Sequence, residues 1–227
     1  MEPKLPRKLG MIGGTGPEGI GLAIRHGQAG REIVIGSRSQ ERAEEAASKV
    51  LAKVPGATVR GALNEEAARE ADLVVNVLPF VAQSETLPKL KDGVGRKILI
   101  SCVAPLKFEK SGVEAIPVAE GSAAEQAQEL LPEARVVGAF QTLSAVNLRN
   151  VDHDIAADVL VTSDDAEAKE VVMELCRSIP GLRPIDAGSL ANSRYVEQTV
   201  ALLLGINRRY KGNSELRIVG LPEQAAP

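Results

Sequence analysis

Residues 14 to 19 read Gly14-Thr15-Gly16-Pro17-Glu18-Gly19, with glycines at the spacing G-x-G-x-x-G. In that pattern Gly14 permits a tight turn, Gly16 leaves room for a diphosphate against the backbone, and Gly19 lets a helix pack closely on a sheet. Free amides at the start of the following helix make an anion site. Such a loop holds phosphate only where it follows a strand and opens a helix. The flanks meet both conditions, with an apolar strand at 9–12 and an amphipathic helix at 19–29. A glycine turn that serves packing alone is the competing account.

A second apolar run, 33–35, leads into Gly36-Ser37-Arg38-Ser39-Gln40-Glu41-Arg42. Folds that hold NAD usually end this strand near an acid that binds the ribose 2′-hydroxyl, and none stands at the strand end here. A carboxylate would repel a 2′-phosphate. The hydroxyls of Ser37 and Ser39 and the guanidinium groups of Arg38 and Arg42 donate to one, and Thr15 adds a hydroxyl from the facing loop. Two or three such bonds at roughly 1.5–3 kcal/mol each favour NADP over NAD by on the order of a hundredfold after screening. The alternative is a solvated basic loop opening a surface helix.

These residues need a scaffold, and the order of elements supplies one. Short β-branched runs alternate with helical stretches through the first half, and further strands are expected at 58–60, 73–78, 97–101, 115–117 and 136–139. That alternation predicts an α/β fold with a Rossmann-type doubly wound parallel sheet. From Gln141 the rhythm changes. A polar stretch precedes a strand at 158–161 and a helix at 165–178, where Asp164 and Glu167 have the spacing of a capping box. A short strand at 182–185 follows, then a helix running to about Arg208 with Tyr195, Thr199, Leu202, Leu203 and Ile206 available for burial. The expected division is a nucleotide-binding domain over 1–140 and a small α/β domain over 141–227 closing the cofactor cleft, with a frayed tail at 222–227.

Composition narrows the function. The 227 residues are 44% apolar and 25% charged with a formal net charge of −3, the balance of an ordinary globular protein and an unfavourable one for nucleic acid. No stretch of eighteen apolar residues is present, so neither a signal peptide nor a membrane span is expected. Cys102 and Cys176 lie far apart without metal-ligand spacing and read as reduced thiols in a cytoplasmic core. Aromatic residues are only 2%, so a planar ligand must rest on aliphatic walls and backbone. His26 and His153 both read as surface residues. No nucleophile elbow and no Tyr-x-x-x-Lys pair occurs. Hydride exchange between two redox cofactors suits such a site, because it needs alignment more than a strong acid or base.

The sequence resembles the NADPH-dependent reductases of coenzyme F420 over nearly its whole length. The likeness rests on Ile12-Gly13-Gly14-Thr15-Gly16 with Gly19, on Gly36-Ser37-Arg38, on the turn after residues 73–79, and on Gly181-Leu182-Arg183-Pro184 followed by Asp186-Ala187-Gly188-Ser189-Leu190-Ala191-Asn192-Ser193-Arg194. The resemblance implies that Thr15, Ser37, Arg38 and Arg42 surround the 2′-phosphate of NADP. By the same analogy Leu78, Pro79 and Phe80 wall the nicotinamide, while Gln141, Thr142, Leu143, Ser144 and Ala145 face the deazaflavin ring of F420. Asn192 and Ser193 are implied as deazaflavin partners, with capping of the last helix as their alternative role. A homodimer and reversible transfer between nicotinamide carbon 4 and deazaflavin carbon 5 are also implied. Departures cluster at the second cofactor, where Gln141-Thr142-Leu143-Ser144 replaces His-Thr-Ile-Pro and Phe80 replaces Trp. The competing functions are an NADPH-dependent flavin, ferric or imine reductase on the same fold, and a redox sensor that binds NADP without turnover.

Overall fold

The computed structural model describes residues 5–221; residues 1–4 and the tail at 222–227 lie outside the described residues. The first unit is β1 (Lys8–Ile12), α1 (Pro17–Gln28) and β2 (Glu32–Ser37), followed by α2 (Gln40–Lys53), β3 (Val59–Leu63), α3 (Asn64–Glu70) and β4 (Leu73–Asn76). Then come α4 (Phe80–Thr86), α5 (Lys91–Val94), β5 (Ile98–Ser101), β6 (Leu106–Phe108), β7 (Val113–Ala115), α6 (Ala123–Leu130) and β8 (Arg135–Gly138). The chain continues through α7 (Ala145–Leu148), β9 (Ala157–Val161), α8 (Ala166–Arg177), β10 (Leu182–Asp186) and α9 (Ser193–Tyr210).

Six strands form a sheet in the order β3-β2-β1-β4-β5-β8, every pair parallel. The strands are apolar on both faces because helices cover both. Leu9, Met11, Ile33, Ile35, Leu73, Val75 and Ile100 point to one buried cluster, whereas Ile12, Val34, Val74, Leu99 and Val136 point to the other. That two-residue alternation fixes the register, since a slip of one residue would exchange the two faces. The first cluster runs on into Ile155, Val159, Val172, Leu175 and Leu182, so the carboxy-terminal elements share it. The direction in which successive strands are added to the sheet reverses between β1 and β4, and the crevice beyond their carboxyl ends is where open α/β sheets take ligands.

The structure corrects several expectations. Helix α3 carries little apolar content beyond Ala67 and Ala68, so no amphipathic period announced it. The strand expected at 73–78 ends at Asn76, whose buried side chain donates to Gln83 Oε1 at 2.8 Å and accepts from the Leu78 amide at 3.3 Å. Of the strand expected at 115–117 only Ala115 is strand, the last residue of β7, which pairs with β6 in an antiparallel hairpin outside the main sheet. Asp165, not Asp164, caps α8 by accepting from the Ala168 amide at 2.9 Å; Asp164 accepts from Leu190 N at 3.0 Å instead. On α9 only Leu203 of the five expected core residues is buried, and Tyr195 and Leu202 are exposed. Glu197 takes the inner face, where its carboxyl accepts from the Ala123 and Ala124 amides at the start of α6. Both cysteines are buried and free, as expected.

His26 is the largest correction, for it is 0% exposed in the last turn of α1. It meets Phe140 edge to face at 5.8 Å, and neither ring nitrogen has a hydrogen-bond partner. Burial, with Arg31 nearby, pushes its pKa down to about 3. The unfolded chain binds a proton at this position below about pH 6.5 and the native chain does not until pH 3, so stability present above 6.5 is lost as pH falls through that window. The expected slope is up to ~1.4 kcal/mol per pH unit. His26→Leu should flatten the acid limb of a chemical-denaturation series; an unchanged limb would show that the ring is charged in the native state.

Candidate active site

The glycine loop leaves β1 through Gly13, whose φ of +71° makes it, and not Gly14, the left-handed residue of the turn. Its amide donates to Asn64 Oδ1 at 3.1 Å. Gly14 has a packing reason to be glycine, because a Cβ there would lie 2.9 Å from the Met11 carbonyl oxygen. Gly14 N also donates to Gly36 O at 3.1 Å, lashing the loop to the end of β2. At Gly19 a Cβ would sit 2.6 Å from Gly14 Cα, the close helix-to-loop approach expected of the third glycine. Gly16 differs from both. Its φ is −78° and a Cβ would meet nothing within 4 Å, so neither conformation nor internal packing requires glycine there. The open space above it lies beside the first turn of α1, where Pro17 occupies the position that needs no donor and the Glu18 and Gly19 amides have no acceptor among the described residues.

At the end of β2, Ser37 is buried and its Oγ accepts from the Ser39 amide at 3.3 Å. Ser39 caps α2, its Oγ accepting from Arg42 N at 3.4 Å and keeping its own proton to donate. Arg38 and Arg42 are exposed, and among the described residues neither forms a salt bridge. Thr15 is half-buried in the facing loop. Unpaired cations next to a capped helix start, tied to the glycine loop, suit a phosphate group.

On the other side of β1 opens a cleft of about 630 Å³, in the range of small-molecule sites. Gly16, Pro17, Glu18 and Gly19 form its floor. Leu78, Pro79 and Phe80 form one wall, in a turn held by the Asn76–Gln83 pair and by Gln83 Nε2 donating to Ala123 O at 2.9 Å. Gln141, Thr142, Leu143, Ser144 and Ala145 form another. They reach the cleft because Phe140, at φ +70°, reverses the chain after β8, and Leu143 N closes the turn on Phe140 O at 3.1 Å. Gln141 is 4% exposed, lines the cleft, and has neither amide atom hydrogen-bonded. A buried donor and acceptor left open together fit the amide or imide edge of a ligand. Among the described residues no cluster of side chains suits a metal ion.

Arg25, 4% exposed on α1, holds this wall from behind. Its Nε donates to Leu148 O at 2.9 Å, and Nη2 lies near the Asn147, Asn150 and His153 carbonyls at 2.9, 2.5 and 2.8 Å. Removing the fork leaves these carbonyls without their donor. Arg25→Met should cost about 3 kcal/mol in denaturant unfolding, and Arg25→Lys should recover only part, because one ammonium cannot match the planar fork. A loss under ~0.5 kcal/mol would mean that the loop stands without it.

The structure does not bring Asn192 or Ser193 to the cleft. Ser193 Oγ is fully buried at 2.6 Å from Thr162 Oγ1, and Asn192 Nδ2 donates to Ala187 O at 2.7 Å. Neither side chain caps α9. The cleft instead gains Cys102 and Val103 after β5 and Leu203, Leu204 and Asn207 from α9. Position beyond the strand next to the sheet's reversal could have flagged Cys102; nothing local marked the α9 residues.

A parallel sheet in this order, with a glycine loop at its reversal point, defines a Rossmann-type dinucleotide-binding protein. The family model described as NADP oxidoreductase, coenzyme F420-dependent, matches residues 8–105. The F420-dependent NADP reductase of Methanothermobacter thermautotrophicus is 44% identical over 96% of this chain and 97% of its own. That of Methanothermobacter marburgensis is 39% identical over 95% and 100%. A 1.70 Å crystal structure from Arthrobacter sp. FB24 superposes with a TM-score of 0.82 at 26% identity, covering 95% of this chain and 100% of that one. The chain belongs to the F420-dependent NADP reductase family.

Proposed function

We propose that the protein is an NADP-dependent oxidoreductase that moves a hydride reversibly between NADPH and coenzyme F420. The observation that carries the reading is the pairing of a glycine loop, open only at Gly16, with an uncovered cleft that contains the orphaned Gln141 amide. The residues fit both cofactors. Ser37, Arg38, Ser39, Arg42 and Thr15 bind the 2′-phosphate, Gly16 and the first amides of α1 take the diphosphate on a loop that Gly14 holds against β2, and residues 77–80 orient the nicotinamide. The segment 141–145, with α9 of the carboxy-terminal domain over 141–227, covers the deazaflavin and excludes water. When both are bound, nicotinamide carbon 4 and deazaflavin carbon 5 supply the hydride chemistry themselves. The chain's share is alignment, which alone lowers a bimolecular barrier by several kcal/mol, on the order of 7–11 in favourable systems.

A homodimer accompanies this reading, supported by the exposed row Tyr195, Leu202, Ile206 and Tyr210 along α9. A cytoplasmic location accords with the free, buried cysteines; no helix among the described residues is long and apolar enough to cross a membrane. The test is spectrophotometric. NADPH with F420 should bleach the deazaflavin visible band, and NADPH with FMN or FAD should not; bleaching of the flavins alone, or tight NADPH binding without oxidation by any acceptor, would refute the assignment.

A further inference from the structure

Glu18 is the second residue of α1, in the loop that would hold the diphosphate, and its side chain lines the cleft on the side of β1 away from Arg38. Its Oε1 is buried with no hydrogen-bond partner. A dinucleotide whose adenosine end lies at β2 and whose diphosphate lies on the glycine loop must send its nicotinamide to this side of the sheet. The carboxyl therefore stands in the nicotinamide's half of the site.

We infer that Glu18 couples the charge of the nicotinamide to a proton, keeping its own proton when the neutral dihydronicotinamide is bound and releasing it when the cationic pyridinium is bound. The inference rests on the function proposed above and deepens it. Hydride loss converts a neutral ring into a cation, and a carboxylate in the same cleft neutralises that charge. Reduction of F420 by NADPH consumes one proton together with the hydride. The proton leaving Glu18 balances the positive charge left on the nicotinamide, and the deazaflavin takes up an equivalent proton from the same cleft or from solvent.

The setting supports a titration near neutrality. Burial pushes the Glu18 pKa up to about 8, so the carboxyl is neutral at pH 7 and does not repel a diphosphate. Of the described residues lining the cleft, the other titratable group is Cys102 after β5, itself held as a thiol by burial. The turn after β4, the 141–146 wall and the lining face of α9 contribute no charged side chain to the cleft. Further along α1, Arg25 is occupied by the carbonyls of residues 147–153 and His26 packs on Phe140 as a neutral ring. Behind the 141–145 wall, Glu215 accepts from the Ser144 amide at 2.9 Å and Arg149 donates to Ala145 O at 2.8 Å, and neither lines the cleft. Glu18 is the carboxyl that lines the cleft beside the glycine loop.

Calorimetric titration of the full chain with NADP+ and with NADPH, at pH 7 in two buffers of different ionisation enthalpy, counts the protons exchanged. The 2′-phosphate is common to both ligands, so its own titration cancels in the difference. The expected result is that NADP+ releases roughly half to one proton more than NADPH, and that the ratio Kd(NADP+)/Kd(NADPH) falls about tenfold between pH 6 and pH 8. In Glu18→Gln, which keeps the shape, the difference in protons and the pH dependence of the ratio should both vanish. Equal proton counts for the two ligands, or a difference that persists in Glu18→Gln, would overturn the inference. Failure of either ligand to bind the unaltered chain would instead overturn the NADP reading.

Discussion

Gly16→Val should abolish NADPH binding, weakening it by at least ~100-fold, while leaving the unfolding midpoint nearly unchanged. The two halves of this expectation have separate causes. Folding tolerates the side chain because Gly16 lies at φ −78°, ψ 169°, a conformation open to any residue, and because a Cβ there meets no atom within 4 Å. Binding does not tolerate it. In the proposed complex the diphosphate occupies the same empty space to reach the Glu18 and Gly19 amides, and displacing it by a methyl radius would forfeit those bonds and their helix-end electrostatics. A loss of ~3 kcal/mol corresponds to the stated factor. Gly19→Ala is the contrasting control, since a Cβ there would lie 2.6 Å from Gly14 Cα and should impair the fold itself. Titration calorimetry and thermal unfolding of the two variants separate the roles. Retained affinity in Gly16→Val would remove the loop from the site.

Arg38→Ala should raise the Michaelis constant for NADPH by roughly 10- to 30-fold and leave that for NADH within a factor of two. Arg38 is exposed and forms no salt bridge among the described residues, so its removal costs the free protein little. Arg42 behaves likewise, one turn into α2. Both are positioned by the backbone, because Ser39 caps the helix on which Arg42 sits and the Gly14–Gly36 bond fixes the strand end against the loop. The expected loss is that of one charge-assisted bond to a doubly charged phosphate, and it should shrink at high salt. Adding Arg42→Ala should bring the preference for NADPH down by about 100-fold in total. Steady-state kinetics with both nucleotides decides the matter; equal losses for NADPH and NADH would place Arg38 elsewhere on the ligand.

The parts of the fold legible in the sequence are those with strong local periods. Residues 9–12, 33–35 and 97–101 are apolar runs between turn residues, and the helices at α1, α2 and α8 show a clean apolar stripe. Helix α3 escaped because alanine gives little contrast with its acidic neighbours, while β6 escaped and β7 was placed two residues late because three-residue strands carry no period. On α9 the apolar period is real, yet period does not say which face is covered, and Glu197 on the inner side inverts the simple expectation.

The candidate site divides the same way. Gly16, Ser37 and Arg38 are readable because the roles proposed for them depend on residue type next to a strand end. Thr162, which takes the Ser193 hydroxyl, and Phe140, which turns the 141–145 segment into the cleft, act through tertiary contacts that no spacing encodes. His26 could not be read as buried from its position beside Gly27, since the Phe140 that covers it lies more than a hundred residues away. The raised pKa of Glu18 is likewise a property of the assembled cleft; within the motif it occupies an unconstrained position.

The central claim is that the cleft aligns two flat cofactors for direct transfer, with this chain supplying position and charge. Deuterium at carbon 4 of NADPH reads that alignment without reference to rate. Incubated with the enzyme and F420 in ordinary water, NADPH labelled on one face should deliver its deuterium to deazaflavin carbon 5, and NADPH labelled on the other face should deliver none. Label appearing from either face, or reduced F420 carrying hydrogen from solvent at carbon 5, would contradict the account.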